Sequence, residues 1–370
     1  MKIILAGDTF LRDSFSLEPT KYLFQEYWDA DFRVANLEQA IGPSEWKLEK
    51  SVLCLGEQCI SEAKKLKIDA FCLANNHIHD LGIKGIKNTI KILKKNNIGF
   101  FGAGENIDQA TDPYFISENL ALLGFCEFNK PYLREIMVAS DNTPGVAGLS
   151  RENINHALEK LPPRAKAIIY FHWGLEHSHI QPSANIKLAR DLLEDERVSL
   201  IVGMHPHVVQ GQYCHNNKYC FPSLGHFYWP DFLIKPPNFS FEGPIDYDLP
   251  ITKDYLDVKE LTLKVWRKRN RYGRVLQLET ENMNCISSII FTKEKSTYPK
   301  KINSKIFSSI TVSTVLFKFP FFLQDFLWNI KLKVRYLNDV IKKAINILKL
   351  QGLKKLIKVI IKKIFKTNKK

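Results

Sequence analysis

The chain alternates short apolar runs with longer stretches in which apolar residues recur every three or four positions. The runs predict strands at 2–7, 33–37, 69–74, 98–102, 119–125, 166–172 and 199–203, and the wider spacing predicts helices at 59–67, 83–96, 150–160 and 184–195. After residue 207 the pattern turns to β, with VVQGQY, KYCF, and then LTLKVW, RVLQLE and ISSIIF between 261 and 291. Mixed β-α repeats followed by β segments suit an α/β fold of two sheets with helices outside. Residues 228–258, rich in Pro, Phe, Tyr and Asp, are expected to form a long irregular stretch over a pocket.

Five of the runs end on residues that bind metals or oxyanions. IILAG precedes Asp8, FRVANL precedes Glu38, DAFCLA precedes Asn75, Asn76 and His77, AIIYF precedes His172, and SLIVG leads to His205 and His207. Ligands gather beyond the carboxyl ends of strands in open α/β sheets, so these side chains are expected to meet in one pocket. A pair of divalent ions about 3.5–4 Å apart needs a shared carboxylate with imidazole and oxygen donors around it, and it makes hydroxide available near neutral pH. Asp8, Glu38, Asn76, His172, His205 and His207 supply that mixture.

AGDT at 6–9, ANLEQAI at 35–41, LANNHIHDLG at 73–82, FHWGLE at 171–176, VGMHPHVVQG at 202–211 and PSLGHF at 222–227 occur in an order that resembles the CapA (poly-γ-glutamate capsule) family, a branch of the calcineurin-like metallophosphoesterases. The resemblance implies a four-layer α-β-β-α sandwich. It implies one ion on Asp8, Glu38 and His207 and a second on Glu38, Asn76, His172 and His205, with manganese, zinc or iron as the metal. It also implies that His77 faces the substrate as an acid or orienting donor, with Asp80 as its partner. The wider superfamily usually places His two residues after the first Asp, where this chain has Phe10, so the first ion has one ligand fewer. His226 stands where the family usually has Asn, and it either adds a ligand or changes a pocket wall. His79, His177, His179 and His215 match no ligand position and read as pocket rim or surface, and His156 falls in a helical pattern.

Seven cysteines, an odd number with several inside apolar runs, read as free thiols. Cys214, His215 and Cys220 match no established zinc spacing. The N-terminus enters a strand with no charged-then-apolar leader, which gives a cytoplasmic expectation. A length of 370 residues with 45% hydrophobic composition permits a sizeable core and an appendage. The expected division is 1–295 for the catalytic domain and 296–370 for a tail.

Charge singles out that tail. Residues 300–370 hold 18 Lys or Arg against Asp325 and Asp339, whereas the whole chain is only +14. No nucleic-acid recognition signature accompanies the basic tract, so nucleic acid is not an expected partner. Ile341, Ile345, Leu348, Leu356, Ile360 and Ile364 recur at helical steps with lysines in the gaps, which predicts a cationic amphipathic helix lying on an anionic membrane surface, the inner face of the cell membrane. The segment 311–330 is the most apolar, but Lys318, Pro320 and Asp325 interrupt it, so a spanning helix is not expected.

The functional expectation is a metal-dependent hydrolase in capsule or surface-polysaccharide biosynthesis, acting on a phosphorylated or polyanionic polymer. The alternatives are a non-catalytic metal-pocket component of a polymer-synthesis complex, and an amide or γ-glutamyl hydrolase.

Overall fold

The computed structural model describes residues 1–12, 23–47, 52–130, 133, 136–236, 239–241, 248–252, 258–293, 300–302, 314–315, 317–335 and 337. The chain divides into two units, Met1–Lys318 and Phe319–Lys370.

The first unit is a mixed α/β structure built around two large sheets. One sheet has eight strands, in the order Lys300–Lys301, Asn284–Phe291, Tyr272–Glu279, Lys2–Thr9, Phe32–Leu37, Ala70–Cys72 and Gly99–Phe101, with His226–Tyr228 also joined to Lys2–Thr9. From Lys2–Thr9 to Gly99–Phe101 the pairing is parallel. The other sheet has six strands, in the order Tyr213–His215, Lys218–Phe221, Val198–Met204, Lys166–His172, Leu120–Cys126 and Tyr114–Ser117, and its four inner strands are parallel.

Parallel strands covered on both faces read as continuous apolar runs, which is why the sequence marks them so clearly. Successive side chains then fall to opposite sides. Ile168 and Tyr170 join a core that also holds Ile3, Leu5 and Val34 of the first sheet. Their neighbours Ile169 and Phe171 pack with Ile154, Leu158, Ala189 and Leu192 from the helices Arg151–Glu159 and Ser183–Leu193. The helix Gly82–Lys95 buries Ile86, Ile90 and Leu93 at spacings of four and three. Ser150 caps Arg151–Glu159, its hydroxyl accepting from the Asn153 amide at 3.1 Å.

The strands and helices lie close to their expected places, with two corrections. The 228–258 stretch is not irregular throughout: Phe232–Lys235, Phe239–Phe241 and Ile251–Thr252 form a four-stranded sheet with Thr262–Lys264. Of VVQGQY, only Tyr213 lies in a strand.

In the second unit residues 321–335 are helical. Phe322, Phe326, Ile330 and Val334 are exposed, at steps of four residues. The amphipathic helix expected over 341–365 lies outside the described residues.

One junction fixes where the first strand ends. The pairing of Lys2–Thr9 with its neighbours shifts register near Asp8, and there the Asp8 amide donates to the Gly225 carbonyl at 2.9 Å. A Cβ on Gly7 would stand 2.0 Å from that same carbonyl oxygen, and Gly225 itself has a φ of +68°. Neither position has room or conformation for an ordinary side chain. Gly7→Ala should therefore cost about 1–3 kcal/mol of stability, the usual range for overpacking. Gly42→Ala, whose added Cβ meets only side-chain atoms, Leu81 Cδ1 at 3.1 Å, Asn88 Nδ2 at 3.3 Å and Trp46 Cε3 at 3.4 Å, should cost less in the same denaturant titration. Equal losses would count against the Gly7–Gly225 contact as the constraint.

Candidate metal centre

The candidate ligands come from both sheets. Asp8 lies within the end of Lys2–Thr9, Glu38 follows Phe32–Leu37, Asn76 follows Ala70–Cys72, His172 ends Lys166–His172, and His205 and His207 follow Val198–Met204. Asp8, Glu38, His172, His205 and His207 are buried, and Asn76 is half-buried. The six expected ligands meet in one place. His207 Nδ1 lies 3.2 Å from Asp8 Oδ2, and its Nε2 lies 3.5 Å from Glu38 Oε1. His172 Nε2 stands 3.7 Å from Glu38 Oε1 and 2.8 Å from Asn76 Oδ1. The His172 and His205 rings are 4.7 Å apart between centroids.

Two triplets have ligand atoms that all lie within 4.8 Å of one another: Glu38 with His205 and His207, and Asp8 with Glu38 and His172. Both contain Glu38, as a bridging carboxylate would require. The remaining members interleave the two expected sets, so the donors form one compact cluster around Glu38.

The turn that brings in two of the imidazoles is locally costly. His205 has φ +88° and His207 +53°, left-handed values uncommon for non-glycine residues. Hydrogen bonds hold this turn on several sides. The His177 amide donates to the Pro206 carbonyl at 2.7 Å, Asn270 Nδ2 donates to the His207 carbonyl at 2.9 Å, and the His205 amide reaches Asp8 Oδ2 at 3.4 Å.

Asp8 is held by a chain of side-chain amides. Asn36 Nδ2 donates to Asp8 Oδ1 at 3.0 Å, and Asn75 Nδ2 donates to Asn36 Oδ1 at 3.2 Å and to the Leu37 carbonyl at 2.7 Å. Asn75 Oδ1 accepts from the backbone amides of His77 and Ile78, both at 3.0 Å. This fixes the loop that carries Asn76 and His77. Beside it, His77 Nδ1 lies 2.6 Å from Asp80 Oδ2, and Asp80 also accepts from the Leu53 amide at 2.5 Å. Asp80 is fully buried while the His77 side chain retains 15% exposure, so the pair runs from the interior toward solvent.

The electrostatics suit a cation. Burial, and then the neighbouring Asp8 carboxylate, push the Glu38 carboxyl well above the usual carboxylate range. Burial, and then the His205 and His207 rings, hold His172 well below the ordinary imidazole range. Burial thus favours the neutral ring of His172, the form that binds metals. Among the described residues, neither Glu38 oxygen nor His172 Nδ1 has a hydrogen-bond partner. Buried polar atoms left in that condition are costly, and a divalent ion would satisfy the carboxylate. Carboxylate, amide oxygen and imidazole together fit a divalent metal ion.

The structure sorts the other histidines. His79, expected at the rim or surface, is fully buried, because the turn after Asn76 packs inward against the core. His177 sits beside the cluster, with Nδ1 2.9 Å from Asn270 Nδ2 and its ring 6.0 Å from His207. His179 Nδ1 lies 3.3 Å from the Val209 carbonyl. His215 pairs with Glu194 and His156 with Asp108, each at 3.2 Å, both away from the cluster. Phe10 is buried and stacks on Trp229 with centroids 5.8 Å apart. His226 is buried, and burial, then His207, lower its basicity well below the ordinary range.

Trp229 and Asp231 belong to the stretch expected over a pocket, but the wall they form with Trp266 and Arg271 on the His207 side has no sequence signal of its own. Trp229 and Trp266 contact the His207 ring at 4.9 and 6.1 Å. A buried Arg271–Asp231 pair at 2.8 Å anchors Trp266, whose amide donates to Asp231 Oδ1 at 3.1 Å and whose carbonyl accepts from Arg271 Nε at 3.1 Å. These residues follow the ligand motifs with no periodic signal of their own. Asn36 and Asn75, by contrast, stand inside the quoted motifs and were open to reading as orienting partners.

Capsule biosynthesis protein CapA of Bacillus anthracis is 28% identical over 187 residues, 49% of this chain and 45% of that protein. PGA biosynthesis protein CapA of Bacillus subtilis strain 168 is 28% identical over 176 residues, 46% of this chain and 45% of that protein. The matched region thus spans less than half the length of either curated relative. The bacterial capsule synthesis protein PGA_cap family matches residues 2–230, a span that takes in all six clustered donors. With the motifs in order and their side chains gathered in one buried cluster, the chain belongs to the PGA_cap family.

Proposed function

We propose that the protein is a metal-dependent, phosphoesterase-like hydrolase acting in capsule or surface-polysaccharide assembly, on the four-layer α-β-β-α sandwich of the metallophosphoesterases. The observation that carries this reading is the Glu38 carboxylate, fully buried against Asp8 and three imidazoles, with no hydrogen bond to either oxygen among the described residues. Two carboxylates packed this way repel one another without a cation between them.

Asp8, Glu38, Asn76, His172, His205 and His207 would hold the ion or ions. Bound there, a divalent metal supplies Lewis acidity and lowers the pKa of a coordinated water. The chain's own residues do the rest. Asn36 and Asn75 fix the Asp8 carboxylate. His77 Nδ1 is engaged by Asp80, which leaves Nε2 to donate a proton or hydrogen bond to a leaving oxygen. The half-exposed Asn76–His77 loop is where a polymer segment, phosphorylated or polyanionic, would enter.

The same reading brings the protein to an anionic membrane surface, such as the inner face of the cell membrane, through the tail of residues 296–370. Supporting it are the exposed stripe Phe322, Phe326, Ile330, Val334 and Leu337 and the 18 basic residues of 300–370. No helix among the described residues is long and apolar enough to cross a membrane. Apolar burial combined with about 1 kcal/mol per basic residue near an anionic leaflet would hold such a segment at the interface.

Three outcomes test this. Purified protein should retain transition metal through dialysis, and His205→Ala should lose it by elemental analysis; unchanged stoichiometry would remove His205 from the ligand set. His77→Ala should keep its metal yet lose roughly 10²–10⁴-fold in turnover of a nitrophenyl phosphate ester, the range for a general acid. Metal loss in that variant would make His77 a ligand. If metal-loaded wild type hydrolyses no phosphoester at all, the centre is a binding component and not an enzyme. Finally, Phe322→Ser combined with Phe326→Ser should reduce sedimentation with anionic liposomes, and high salt should weaken binding of the unaltered protein. Equal binding to neutral and anionic vesicles would exclude the electrostatic contribution.

A further inference from the structure

Glu38 shares one close triplet with Asp8 and His172 and another with His205 and His207, and His207 Nδ1 lies 3.2 Å from Asp8 Oδ2. Phe10, two residues beyond Asp8, packs against Trp229 and Phe232 and offers no ligand atom.

The strand His226–Tyr228 lies parallel to Lys2–Thr9, and His226 is the register partner of Asp8. Register partners on neighbouring strands project to the same face of a sheet. The His226 ring accordingly sits 5.0 Å from the His207 ring, and His207 Nδ1 is 3.2 Å from Asp8. Two tryptophans clamp it: Trp229 stacks on it at 4.6 Å and 16°, and Trp266 meets it edge-on at 4.7 Å. A ring so confined has little rotamer freedom, which favours a positioned ligand. Its Nε2 is nonetheless buried with no hydrogen-bond partner among the described residues. A ring chosen only to pack between tryptophans has no use for a buried, unsatisfied nitrogen.

We propose that His226 is a further metal ligand, its Nε2 adding a donor to the Glu38 cluster beside Asp8 and His207. The imidazole comes from the neighbouring parallel strand, in register with Asp8. This rests on the metal-centre reading above.

The test is calorimetric titration of the metal-stripped full chain with manganese and with zinc, beside elemental analysis after dialysis. Wild type should bind two ions. His226→Asn and His226→Gln should each bind one ion as before and the other more than about 100-fold more weakly, beyond the tenfold to 100-fold that loss of an outer contact produces. Metal-free variants should unfold at the wild-type temperature, which separates ligand loss from misfolding. Two ions bound with affinities within about 100-fold of wild type would overturn the assignment of His226 while leaving the centre intact. Absence of binding in wild type itself would overturn the centre, and His226 with it.

Discussion

Everything in the first unit is arranged around two carboxylates that cannot be together without compensation. Asp8 and Glu38 are both fully buried, and Asp8 is among the causes that raise the Glu38 carboxyl. Water is the ordinary solvent for such a pair, and here three buried imidazoles and side-chain amides replace it. Those groups come from strands separated by up to about two hundred positions in the chain. The parallel strands of two mixed sheets end near one point and deliver them, so the sheet order and the site are one constraint.

That constraint explains what was legible in the sequence. Strands buried on both faces must be apolar along their length, and the first polar residue past each run is where the sheet ends. Asp8, Glu38, His172 and His205 stand out by that rule, whereas choosing Asn76 over Asn75 and His77, and adding His207, rests on the resemblance to the family motifs. Helices such as Gly82–Lys95 showed through the spacing of Ile86, Ile90 and Leu93. Phe232–Lys235 and Ile251–Thr252 did not, because they are short strands of a small sheet set among Pro and Asp. The clamp of Trp229, Trp266, Asp231 and Arg271 was equally hidden, since it depends on contacts across some 35–40 positions with no periodicity. His79 went wrong for a related reason: a polar residue next to a ligand motif looks exposed until the turn is seen to fold inward.

The structure also shows why one turn can provide two imidazoles. In His205-Pro206-His207 the proline has no amide to satisfy, and the residues on either side adopt left-handed conformations that point both rings into the cluster. Non-glycine residues in sparsely populated conformations cost on the order of 1–3 kcal/mol each and persist only where neighbours over-determine them. The neighbours here are the His177 amide, the Asp8 carboxylate and the Asn270 side chain.

Asn270 gives that arrangement a wider meaning. It lies beyond residue 230, where the family match ends, as do Trp266, Arg271 and the Tyr272–Glu279 strand that pairs antiparallel with Lys2–Thr9. The residues that would bind metal therefore sit inside the matched span, while part of the support that fixes them does not. A ligand set can stay constant while the segment that braces it is rebuilt, provided the replacement still satisfies the His207 carbonyl and covers its ring. In this chain Asn270 does the first and the paired tryptophans the second, so residues 258–291 belong to the same physical site as the motifs they follow.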